Sequence, residues 1–146
     1  MRTLRGPERQ KKVNIPRAKV KPPISFVPTE DAEQAALFRM AALHLSVYPE
    51  LALLFNIPNG AYKSKSAQRV FKATGLRSGV PDLMLPVACG QYHGAFIEMK
   101  RTKGGVVSET QKTWIAALRG EGYCVAVCAG WAAAWSVITD YLEGKF

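Results

Sequence analysis

The chain has 146 residues, 48% of them hydrophobic and 21% charged, with a formal net charge of +9. That length suits about one domain with a buried core, and the composition is that of a soluble globular protein, not a disordered or membrane one. No apolar run reaches the ~20 residues that cross a bilayer, and there is no secretory apolar segment at the N-terminus, so a cytoplasmic protein with no membrane partner is expected. An Arg-rich, acid-poor leader also suits a mitochondrial transit peptide, which the many prolines and scarce Ser disfavour.

The charge is uneven. Residues 1–22 carry eight Lys or Arg against Glu8 alone, which is +7 of the +9. Five prolines (Pro7, Pro16, Pro22, Pro23 and Pro28) and few large apolar residues make residues 1–28 a flexible basic arm. A basic tail without an apolar face suits nucleic acid, although a tail that only aids solubility has the same composition. Residues 29–146 are expected to form the folded domain.

Thr29 is placed to cap a helix over residues 30–46, with Glu30 and Asp31 in its first turn, where the helix dipole favours negative charge. Glu33 precedes Leu37 by one turn on the side meant for the core. It is either a solvated first-turn acid or a carboxylate with a task. His44, near the end of the helix, reads as packing or surface. Residues 51–57 form a short apolar strand that ends at the Pro58-Asn59-Gly60 turn. Residues 63–77 follow with Lys63, Lys65, Arg69, Lys72 and Arg77 and no acid. Part of this stretch, 66–74, reads as a helix stopped by Gly75. Such cations suit phosphate contacts, which position a nucleic acid without reading its sequence; a solvated basic face is the alternative.

Two short apolar strands come next, in the stretches 79–86, where Asp82 opens the strand after Pro81, and 94–100, joined by a turn-rich connector over 88–93. Alternation along a strand puts Phe96, Glu98 and Lys100 on one face and Ala95, Ile97 and Met99 on the other. If the strands pair as a hairpin, Asp82 and Glu98 converge at one end beside Lys100. Buried charges need a partner or an ion, and Mg²⁺ and Mn²⁺ prefer oxygen donors. Asp82, Glu98 and the Met99 backbone carbonyl are therefore candidate ligands for such a cation, with Lys100 placed to orient water or to stabilise developing charge. Arg101, Lys103 and Gly104-Gly105 make a basic turn, expected to be mobile.

Ser108 and Gln111 form a capping box for a helix over 108–119. That structural role alone explains Gln111, yet its spacing from Trp114, Ile115 and Leu118 also turns it inward. Residues 123–128 are apolar enough for a strand buried on both faces, and a last helix runs over 131–142 with Trp131, Trp135 and Ile138 in the core. Cys124 and Cys128 read as buried thiols in a reducing compartment. With Cys89, they make no zinc spacing with His44 or His93. The order α-β-β-β-α-β-α is that of an α/β domain with a central mixed sheet flanked by helices, and the last two strands are expected to run parallel. No Ser-His-Asp or Cys-His arrangement and no phosphate-cradling loop is present, which leaves hydrolysis assisted by a metal ion.

Pro81-Asp82, fifteen intervening residues and Glu98-Met99-Lys100 resemble the PD-(D/E)xK nuclease signature. With Glu33-Gln34, Ile57-Pro58-Asn59-Gly60, Gly79 to Leu83, Tyr92-His93-Gly94, Gly104-Gly105 and Ser108 to Gln111, the chain resembles the VRR-NUC family in its small stand-alone phage and bacterial form. The resemblance covers residues 30–142 and leaves the arm outside. It implies a restriction-endonuclease-like core and an acidic site of Glu33, Asp82 and Glu98 with Mg²⁺ or Mn²⁺. Lys100 would be the catalytic lysine and Gln111 a helix-borne site residue. Expected DNA contacts are Asn59, Lys63, Lys65, Arg69, Lys72, Arg77, Arg101 and Lys103. Ala61 stands where another glycine is common, which bears on substrate contacts and not on the metal. The resemblance further implies a homodimeric endonuclease acting on branched DNA such as Holliday junctions. A non-catalytic nucleic-acid-binding module is the main alternative. A metabolic enzyme for a small acidic substrate lacks any glycine-rich cofactor motif.

Overall fold

The computed structural model describes residues 27–58, 69–70 and 73–146. Thr29 caps α1 (Glu30–Leu43) as expected, its side chain accepting the Ala32 N–H. The helix stops short of residue 46. At His44 the backbone N–H shifts to the Ala41 carbonyl, and the ring Nδ1 donates to the Met40 carbonyl at 2.9 Å. The His44 side chain thus replaces its own backbone at the Met40 carbonyl, and its ring rests on Trp135.

The strand expected over 51–57 is instead a 3₁₀ helix, Pro49–Leu53, followed by β1, only Phe55–Asn56. Pro49 presets the helical φ at the first turn. Leu51 and Leu54, three apart, are both buried, which a turn of three residues achieves and an alternating strand does not. Most of the helix expected over 66–74 lies outside the described residues. Arg69, Val70 and Ala73 within it are helical, and Gly75 follows with a left-handed φ of 101°.

β2 (Leu83–Leu85) and β3 (Ala95–Lys100) form the expected antiparallel pair, with Leu83 opposite Ile97 and Leu85 opposite Ala95. From β3 the chain crosses through α2 (Glu109–Gly120) to β4 (Cys124–Ala129), which lies parallel to β3, and then enters α3 (Trp131–Leu142). The sheet order is β1-β2-β3-β4 and the fold is α/β with a mixed sheet, as anticipated.

Alternation sorts the sheet into two faces. Leu83, Leu85, Ala95, Ile97, Met99, Cys124 and Cys128 share a core with Leu37 and Ala41 of α1 and Ala134, Ile138 and Tyr141 of α3. On the other face Phe96 and Val125 meet Ile115 of α2. Of the three residues expected in the core from their spacing, Ile138 lies in it, whereas Trp131 and Trp135 are partly buried and pack against its border. β4 departs from the expected burial on both faces. Among the described residues it is an edge strand, and Val127 is 43% exposed, in a groove beside Ile115 and Ala116 of α2. Cys124 and Cys128 are buried free thiols, and burial pushes the Cys128 thiol up to about 11. Among the described residues no helix is long and apolar enough to cross a membrane.

Candidate active site

One end of the sheet gathers the starts of α1, α2 and α3. β3 and β4 finish there, β2 begins there, and α1, α2 and α3 each present their first turn to it. The opposite end carries the 86–94 connector, the turn between α2 and β4, and the chain's last residues.

The β2–β3 register sets Asp82, one residue before β2, across from Glu98. Asp82 Oδ2 accepts the Met99 N–H at 2.8 Å, and the Asp82 carbonyl accepts the Ile57 N–H at 2.7 Å. N–H and carbonyl of one strand residue share an edge, so the Met99 carbonyl also lies on the Asp82 side. The loop leading to Asp82 is pinned on α2. Trp114 Nε1 donates to the Ser78 carbonyl at 3.1 Å. Gly79, with φ 89°, lies so close that a Cβ would stand 2.8 Å from the Thr110 carbonyl carbon and oxygen.

Glu98 is 1% exposed. Its Oε1 accepts from Lys100 Nζ at 2.6 Å and from Gln111 Nε2, whereas Oε2 is buried with no hydrogen-bond partner. Burial pushes the carboxyl above its ordinary range, the Lys100 hydrogen bond opposes this, and the negative charge of Asp82 adds to it. Gln111 performs both roles that its sequence position allowed. Its Oε1 accepts the Ser108 N–H at 2.9 Å, closing the capping box, while its amide nitrogen turns inward to Glu98. The Gly104-Gly105 pair allows the following loop to fold over Lys100. Gly104 takes φ 77°, and a Cβ on Gly105 would come within 2.8 Å of Lys100 Cβ.

Glu33 is buried, which rules out the solvated-acid reading. Its Oε2 accepts the Trp131 N–H at 2.9 Å and so closes the N-terminus of α3, where an anion is favoured. Gly130, at φ 83°, leaves the space, since a Cβ there would meet Thr102 Cγ2 at 2.8 Å and Glu33 Oε2 at 3.3 Å. Replacing Glu33 by Ala should cost about 1–3 kcal/mol through the orphaned Trp131 N–H, and Gln, which retains an acceptor oxygen, should recover most of it. Urea denaturation compares the two; an Ala variant as stable as wild type would show that the bond to Trp131 holds nothing together.

Among the described residues no three His, Cys, Asp or Glu side chains are gathered closely enough to hold a metal. A cation here would therefore rely on Asp82 and Glu98 supplemented by backbone oxygen. The orphaned Glu98 Oε2 is the observation that fits such a group. His44 and His93 stand away from the site, on Trp135 and Tyr123 respectively. Arg69, Arg77, Arg101 and Lys103 are exposed, whereas Asn59, Lys63, Lys65 and Lys72 lie outside the described residues. Sequence reasoning missed Glu30, whose Oε1 accepts the Arg101 N–H at 3.3 Å, and the anchoring of Ser78 by Trp114. Neither has a motif, because each depends on a contact distant in sequence.

No curated protein matches the chain. A solved structure described as a VRR-NUC domain protein is similar, with a TM-score of 0.68 and 31% sequence identity, over 81% of this chain and 91% of that one. The VRR-NUC domain profile matches residues 33–132, the span from the Glu33 carboxylate to the first turn of α3. The chain therefore belongs to the VRR-NUC family, a family of nuclease type.

Proposed function

We propose that the domain is a Mg²⁺- or Mn²⁺-dependent DNA endonuclease, selective for branched DNA such as Holliday junctions and acting as a homodimer in the bacterial or phage-infected cytoplasm. The observation that carries the reading is Glu98 Oε2, a buried carboxylate oxygen without a partner, across the hairpin from Asp82. Asp82, Glu98 and the Met99 carbonyl would hold the cation, with Glu33 bordering the site through α1. The cation would polarise the scissile phosphodiester and activate water.

The remaining work falls to the chain's own side chains. Lys100, held by Glu98 and covered by Gly105, directs its ammonium at the same place and stabilises the charge that develops on phosphate oxygens. Gln111 fixes Glu98 from the α2 side. Asn59, Lys63, Lys65, Arg69, Lys72, Arg77, Arg101 and Lys103 supply contacts that place the backbone without reading bases. A pure binding module would gain nothing from two facing carboxylates, which repel phosphate unless a cation lies between them.

Labelled four-way junction and matched linear duplex, each with Mg²⁺, Mn²⁺ or EDTA, test the reading. Wild type should cut in either metal, favour the junction and stop in EDTA, and Glu98→Ala should not cut. Tight binding without cleavage in any metal would leave the binding module. The arm is proposed to neutralise further phosphates. Removing residues 1–22 should then flatten the salt dependence of binding, by about 0.9 in log–log slope for each phosphate that the arm neutralises. An unaltered slope would make the arm a bystander.

A further inference from the structure

The capping box and the buried carboxylate share one side chain, and its two ends are chemically unlike. The Gln111 carbonyl oxygen only accepts hydrogen bonds and its NH₂ only donates. The Ser108 N–H can only donate, and it lies 2.9 Å from Gln111 Oε1. That contact turns the NH₂ toward Glu98 Oε1, which already receives Lys100 Nζ at 2.6 Å. A reversed amide would set oxygen against carboxylate and NH₂ against N–H, two repulsive contacts in place of two bonds. Both donors fall on Oε1, and Oε2 receives none.

We propose that Ser108 is a positioning residue for the reaction. Its backbone N–H, more than its hydroxyl, sets the Gln111 amide so that Glu98 Oε1 is held by the protein and Oε2 is left for the cation. This rests on the metal-dependent reading above. A capping box with only a structural role would use both of its bonds to hold the helix end, the second being the hydroxyl's acceptance of the Gln111 N–H at 3.3 Å. Their loss would then lower stability without lowering metal affinity.

The two atoms can be separated by mutation. Ser108 has φ −72° and ψ 162°, a conformation that proline adopts. Ser108→Ala removes the hydroxyl alone, whereas Ser108→Pro removes the hydroxyl and the N–H without disturbing φ. The measurement is Mn²⁺ affinity of the full chain by calorimetry, without DNA, alongside the thermal midpoint. Both variants should melt earlier than wild type. Ser108→Pro should lose affinity about 10-fold, as outer partners of metal ligands do, and Ser108→Ala clearly less. A loss in Ser108→Pro no larger than that in Ser108→Ala would overturn the proposal.

Should Ser108→Pro fail to fold, hydrogen exchange of the Ser108 amide decides. Its protection in wild type should disappear in Gln111→Met, and equal protection in both proteins would overturn the assignment. Failure of the underlying reading looks different: wild type would bind no Mn²⁺, or Glu98→Ala would bind it equally well, and either result removes both.

Discussion

Lys100→Met should cleave junction DNA about 10²- to 10³-fold more slowly than wild type, the usual loss when a preorganised charge at a reacting centre is removed. DNA binding should remain close to wild type, because exposed cations elsewhere carry the phosphate contacts. Methionine is chosen because Lys100 is buried and its stem lies under Gly105, so an apolar chain of similar length preserves that packing. The variant also leaves Glu98 Oε1 with Gln111 as its remaining donor. The metal-free protein should consequently hold the Glu98 proton to still higher pH. Cleavage within tenfold of wild type would remove Lys100 from the chemistry and with it the proposed arrangement of the site.

The second large effect is expected at a residue with no side chain. Gly79→Ala forces an L-residue to φ 89° and drives a Cβ into the Thr110 carbonyl at 2.8 Å. The left-handed backbone alone costs about 1–2 kcal/mol. Since the collision is with backbone, the 78–82 loop must lift off α2. The total should reach about 2–3 kcal/mol and carry Asp82 out of line with Glu98, so cleavage should fall more than stability alone explains. Gly75→Ala is the control. Gly75 has a φ of 101° but nothing within 4 Å of an added Cβ, so strain acts there without collision. Denaturation and cleavage of both variants separate the two effects; equal behaviour would show that the loop tolerates displacement.

Much of this site was legible because its signals are local. Thr29 and Ser108 announce helix starts through short-range hydrogen bonds that any chain with those residues can make. The period of two along residues 95–100 separates Glu98 and Lys100 from the apolar face, and the hairpin then brings Asp82 opposite. What stayed hidden depends on tertiary neighbours. A short apolar run such as residues 51–57 fits a strand or a 3₁₀ turn, and only burial of Leu51 and Leu54 together decides for the turn. The composition of β4 does not reveal that, among the described residues, no strand pairs with its far side. The buried partner of Glu33 lies 98 residues away in sequence, at the start of a helix whose own position depends on the whole sheet.

The direction in which the strands run also gives the molecule a natural attachment point for a reporter. Cys89 is partly accessible in the turn closed by Tyr92, at the end of the sheet remote from the carboxylates. Glu98 lies three residues further along β3 from Ala95, roughly 10 Å, and Cys89 lies beyond Ala95 in the connector. Cys124 and Cys128 are buried, and burial raises both thiols, so they stay protonated and shielded while the protein is folded. A maleimide dye should therefore attach at one position, outside the region where nucleic acid would be cut, and binding and cleavage could be followed in the native sequence without first removing a cysteine.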